Sequence, residues 1–170
     1  GATALALLAQ VAEPWNLSDP QTETLLEWAA RLHEIGLDVS HSQYQKHGAY
    51  LLEHADMPGF TREEQRVLSY VVCRHRRKLP VTDAQQLIPP WDVQAEPLVL
   101  VLRLAVLLHR GRSSVQLPVI KLAARGRSLT MNFPRGWLKD HALTVADLRQ
   151  EVEYWKAANL RLRVFDTYSA

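Results

Sequence analysis

Seven histidines and a crowd of arginines are the residues here whose types and spacing bear on chemistry. In "RLHEIG", residues 31–36, His33 and Glu34 follow an apolar run and precede Ile35 and Gly36. An imidazole beside a carboxylate is a pair of donors for a divalent metal, but a tight site needs a fuller set. His33 and Glu34 alone do not make such a set, so the expectation is that no metal is held. His33 then reads as a hydrogen-bonded residue at a helix end and Glu34 as a solvated or ion-paired carboxylate. Cys73 falls on the inward side of a helical pattern and reads as a small core residue, not a nucleophile. Ser113 and Ser114 lack a glycine elbow, and no Gly-rich loop is present to cradle phosphates. No catalytic residue is assigned.

Phosphate binding without bond-making is better supported. "CRHRRK" sets Arg74, His75, Arg76, Arg77 and Lys78 at a helix C-terminus shortly before Pro80. "HRGR" repeats the arrangement at the end of the next long helix with His109, Arg110 and Arg112. Guanidinium groups hold phosphate oxygens through paired N–H bonds, and lysine adds a point charge. Two basic helix ends could line one channel for a chain of phosphates, with His33 and His47 as further lining residues. Basic residues also complement the dipole at a helix C-terminus, which is the purely structural alternative.

The elements that must position these residues follow from periodicity. Residues 2–12 form a helix ended by Pro14-Trp15. A second begins at a capping box with Ser18 as N-cap, Pro20 in the first turn and Gln21 third, and stops at Gly36. A third spans 43–55. Thr61 with Glu64 caps a fourth, which runs to about His75. "VTDAQQLIPPW" is a short helical turn. "AEPLVLVLRLAVLLHRG" is apolar on so many sides that its helix must be buried, with Gly111 as its end. Beyond it, runs 115–123 and 127–133 alternate as a β-hairpin, Thr144 caps a helix over 145–158, and "LRLRVFD" is a third strand. The expected fold is mainly α: an all-helical domain over 1–112, then a small α+β domain over 113–170, packed together.

Composition limits the classes. A chain of 170 residues with 47% hydrophobic content buries a real core. A single cysteine excludes an internal disulfide and a cysteine-rich zinc site, and fits a reducing cytoplasm. No run reaches the roughly 18–20 apolar residues of a membrane span, and the apolar N-terminus lacks the basic region of a signal peptide. Gly1 leading straight into a helix fits a piece of a longer chain. The net charge of +2 hides an asymmetry. Residues 1–65 carry ten acids against three cations, residues 66–139 thirteen cations against three acids, and no acid lies between Glu96 and Asp140. A polyanionic partner would explain that; so would a dimer or a further domain neutralising the basic half.

"LLEWAARLHEIG" resembles the central helix of the HD phosphohydrolase superfamily, in which Asp would stand at Glu34. The late context of that superfamily is matched by "LRLAVLLHR", with Val106 where its acid would be. The longer matches "AARLHEIGLDVSHSQYQKHGAYLLEHADMPGFTREEQ", "CRHRRK", "LRLAVLLHRGR" and "FPRGWL" resemble the C-terminal half of bacterial exopolyphosphatases, the exopolyphosphatase/guanosine pentaphosphatase family, over essentially the whole chain. The resemblance implies a degenerate HD-like helical domain followed by a smaller one. It implies a catalytic N-terminal half, of the actin-like sugar-kinase fold, that carries the catalytic carboxylates and works with Mg²⁺. It also implies that the C-terminal half, the one matched here, helps to hold long inorganic polyphosphate and supports a homodimer and processive hydrolysis. No cofactor is then expected in this chain, and it alone is expected to be inactive. Two alternatives stay open: the same region of a guanosine pentaphosphate phosphohydrolase, and a metal-dependent HD-type enzyme in its own right. A purely structural dimerisation module is a third reading. Nucleic acid is disfavoured as a partner, because no recognition helix or aromatic stacking set stands out in the linear sequence.

Overall fold

The computed structural model describes residues 1–80, 86–110 and 116–169. Helix α1 (Ala2–Val11) buries Ala4, Leu7, Leu8 and Val11, the one-face spacing of an amphipathic helix. Helix α2 (Pro20–Leu32) is capped by Asp19 rather than Ser18. Pro20 occupies the first helical position, where its missing N–H is not needed, and the Asp19 carboxylate accepts from the Thr22 N–H at 3.1 Å. Its other oxygen accepts from Gln94 at 2.7 Å, which ties the start of α2 to the buried helix.

Gly36 does not stop α2. The helix ends at Leu32, and Gly36 lies buried in a 3₁₀ turn, Ile35–Asp38, that leans on α3 (Tyr44–His54). A Cβ at Gly36 would sit 1.9 Å from the Tyr44 carbonyl oxygen and 2.6 Å from the Gly48 nitrogen. The glycine is there because two backbones meet, not because the chain turns left-handed. Helix α4 (Arg62–Cys73) opens with the expected capping box: Thr61 Oγ1 accepts from the Glu64 N–H, and the Glu64 carboxylate accepts from the Thr61 N–H. It packs on α3 through Ser69, whose hydroxyl donates to Ala49 O at 2.7 Å, and Gln65, whose amide donates to the end carbonyls of α3 at Leu52 and Ala55. The α4 helix ends at Cys73, so "RHRRK" leaves it as irregular chain instead of forming its last turn.

Helix α5 (Trp91–His109) is the axis of the molecule, with 13 of its 19 residues buried against α1, α2, α4 and the C-terminal part. Its expected stop, Gly111, lies outside the described residues, as do part of the turn over 81–91 and the first residue of the 115–123 run. Strand β1 is shorter than that run (Lys121–Arg125) and turns through Gly126 (φ 56°) and Arg127 into β2 (Ser128–Pro134). Helix α6 spans Ala142–Ala157, with His141 rather than Thr144 at its cap; the His141 carbonyl already accepts the Val145 N–H, so Thr144 sits inside the first turn. Strand β3 (Arg161–Tyr168) then pairs parallel to β2, giving a three-stranded sheet in the order β1-β2-β3.

The fold is mainly α with this small sheet. One core cluster runs from Leu7 and Leu26 through α5 to Met131, Phe133 and Trp155. Polar ties cross the same boundary. Gln10 donates to Ile120 O and accepts from the Leu122 N–H, both at 2.8 Å, and the Trp15 indole donates to Gly126 O at 2.9 Å. No helix among the described residues is long and apolar enough to cross a membrane.

Candidate anion-binding site

A lone arginine in the apolar run "LVLVLRLAVLL" cannot stay charged in a core without partners. Arg103 is 2% exposed. Its Nε and Nη2 donate to the two carboxylate oxygens of Glu151 on α6, at 2.7 and 2.9 Å. Glu151 in turn accepts from the Trp155 indole at 2.9 Å. Its Nη1 and Nη2 also donate to the carbonyls of Arg74 and Arg77, both at 2.7 Å. One buried side chain therefore pins both ends of the basic loop after α4. Arg77 holds the left-handed backbone (φ 66°) that presents its carbonyl there. Removing one member of such a buried pair strands the other charge, a cost of about 3–5 kcal/mol.

Pinned this way, the loop faces the end of α5. Arg76 and Arg77 share with Arg110 a cleft of about 310 Å³, walled by His75, Tyr154 and Asp147. Four guanidinium groups (Arg76, Arg77, Arg103, Arg110) meet two carboxylates (Asp147, Glu151) around it, leaving two positive charges. The Arg110–Asp147 contact is long, 3.6 Å, and solvated, so it binds Arg110 weakly. Arg76 lies over the Tyr44 ring, 4.4 Å from its centroid, and its Nη1 donates to Gln45 Oε1 at a long 3.4 Å, so the side chain is steadied with only weak polar engagement.

His75 is buried at the back of this cleft. Its Nδ1–H donates to Val72 O at 2.5 Å, and its ring meets those of His33 (5.1 Å) and Tyr44 (5.6 Å). Burial, against that hydrogen bond and reinforced by His33, Arg76 and Arg103, lowers its pKa to about 3. It is neutral at physiological pH, with a lone pair on Nε2, and brings shape rather than positive charge to the site.

The other candidates separate. His33, Glu34, Tyr44, Val106, His109 and Arg110 line an adjoining cleft of about 360 Å³, so Arg110 stands between the two. His33 Nδ1–H donates to Ala30 O at 2.8 Å, and its Nε2 is 3.8 Å from Glu34. Arg74 turns to the far side of α4, its guanidinium 3.7 Å from the centroid of Tyr70, into a third cleft with Lys46 and Arg66. His47 is half-buried on α3 and Lys78 exposed, and neither lines these three clefts. Arg112 lies outside the described residues. No three His, Cys, Asp or Glu side chains converge among the described residues. Sequence reasoning missed Arg103 and Glu151; the signal was an unaccompanied charge in the most apolar segment.

Fold and cleft together define a mainly helical protein with an arginine-lined cleft and a small appended sheet. The chain belongs to the Ppx/GppA phosphatase family: the model of its domain III matches residues 1–152. Similar proteins include the guanosine-5'-triphosphate,3'-diphosphate pyrophosphatases of Vibrio atlanticus (38% identity over 87% of this chain), Vibrio cholerae (38% over 85%) and Aeromonas salmonicida (32% over 89%). The chain spans about 30% of the length of these relatives.

Proposed function

We propose that this chain is the phosphate-holding, non-catalytic C-terminal region of a phosphatase of this family, built on a degenerate HD-like helical domain. It grips long inorganic polyphosphate while a catalytic half, working with Mg²⁺, removes terminal phosphates, and it supports a homodimer. The observation that carries the reading is the convergence of Arg76, Arg77 and Arg110 on one cleft, held by the buried Arg103–Glu151 pair. Many weak phosphate interactions along one polymer keep it attached between cuts, which is the physical basis of processivity. The HD-like part rests on a second observation: Val106 stands in the same cleft as His33 and Glu34. A valine at that point removes an anionic ligand, and Arg110 at the rim favours an anion where a metal would otherwise sit.

A second reading, favoured by the names of the relatives, has guanosine pentaphosphate in the cleft instead of a polymer. Both substrates present clustered phosphates to the same arginines. Changing Arg76 and Arg77 together to Ala tests what is common to them. The expected result is weaker polyphosphate binding, with a log–log salt slope reduced by about 0.7 for each phosphate that the variant no longer neutralises. Unchanged affinity and slope would remove both residues from the site.

A further inference from the structure

The cations of the acid-free segment have two fates. Arg103 is paired with Glu151, Arg127 with Glu96 at 2.8 Å, and Arg110 lies against Asp147. Others are left on the sheet. Strand register puts Leu129, Met131 and Phe133 of β2, with Leu162 and Val164 of β3, on the core side. The opposite side is therefore made by their alternate neighbours. Arg125 pairs with Ser128 and Ser128 with Arg161; Thr130 pairs with Arg163; Lys121 pairs with Asn132 and Asn132 with Phe165. An irregularity between Asn132 and Pro134 brings Tyr168 to the same side, where Lys121 Nζ lies 4.1 Å from its ring centroid.

The outer face thus carries Lys121, Arg125, Arg161, Arg163, Phe165 and Tyr168, and no acid occurs among the paired positions. Arg125, Arg161 and Arg163 are exposed and make no ion pair among the described residues. Phe165 is 44% exposed, an aromatic ring displayed beside cations rather than folded under them. Same-face residues on a strand repeat every ~6.7 Å, a step comparable to that of the phosphates in an extended polynucleotide. A bare phosphate chain would use the cations and leave the rings without purpose. A nucleobase has a π-face that stacks on them.

We propose that this outer sheet face is a docking surface for single-stranded nucleic acid, with Arg161, Arg163 and Arg125 on the phosphates and Phe165 stacked under a base. It is separate from the arginine cleft, and β3 lies beyond the residues matched by the family. What hides it from a linear reading is that strand pairing, not sequence proximity, assembles it.

The test is fluorescence anisotropy of the 170-residue chain with a labelled 12-nucleotide single-stranded RNA at low salt, against wild type and three variants. Phe165→Ala should weaken RNA binding about tenfold, the scale of one base stack, while leaving polyphosphate binding unchanged. Arg161→Ala with Arg163→Ala should lower the salt slope by about 1.4, equivalent to two phosphates of a single strand. Arg76→Ala with Arg77→Ala should leave RNA binding as it is. Absence of RNA binding would overturn the proposal. So would displacement of the RNA by polyphosphate of equal charge combined with no effect of Phe165→Ala, since that pattern describes a generic polyanion surface.

Discussion

At the scale of residues, the site rests on groups whose chemistry is set by what surrounds them. His75 is the clearest case, because the same burial that shapes the cleft keeps it neutral. Its folded pKa of about 3 lies below the ordinary 6.5. Between those values the unfolded chain binds a proton that the folded chain does not, so stability rises with pH across the window. The contribution is complete above pH 6.5 and is lost as the pH falls toward 3. Urea unfolding of wild type and His75→Asn at several pH values isolates this group. The difference in unfolding free energy between them should shift by about 1.4 kcal/mol per pH unit below 6.5, and parallel curves would contradict it. Arginines divide differently. Arg103 is buried and donates four hydrogen bonds, two to Glu151 and two to the carbonyls of Arg74 and Arg77. Arg76, by contrast, is steadied by Tyr44 and a long contact to Gln45, and the Arg77 side chain is exposed at the cleft. From sequence, those three are indistinguishable except that one sits in an apolar helix.

At the scale of elements, the helical periodicity and the Thr61–Glu64 box are legible because each depends on residues within one turn of each other. Ser18 and Asp19 are both good caps, and only the tertiary bond from Gln94 to Asp19 breaks the tie. Gly36 reads as a stop because glycine commonly ends helices, but its reason is the approach of α3, which lies eight or more residues further on. The same holds for the site: the basic segments are legible, and their convergence is not, because it depends on Glu151 and α6. Gly36→Ala should therefore be severe. With backbone atoms at 1.9 and 2.6 Å from the new Cβ, the 3₁₀ turn must detach from α3. The expected loss is about 3 kcal/mol or more, seen in thermal unfolding as a drop of roughly 6–12 °C. An unchanged midpoint would mean that the turn and α3 do not meet this closely.

At the scale of the whole molecule, the uneven charge along the chain is partly cancelled in space. The acid-free segment finds Glu151 and Asp147 on α6, and its Arg127 finds Glu96. What is left over is concentrated in the cleft between the α4 loop, α5 and α6, and on the outer face of the sheet. A single core joins the helices to the sheet, so the cleft is built by both parts and α6 is as necessary to it as the basic loop.

The measurement that tests the central claim most directly is titration of this chain with short polyphosphate, with polyphosphate of hundreds of units and with guanosine pentaphosphate, each at low and moderate salt. The polymer-holding account predicts tighter binding per molecule for the long chain than for the short one or the nucleotide, weakening with salt as counterions are released. Binding that is indifferent to chain length, or strongest for guanosine pentaphosphate, would contradict it.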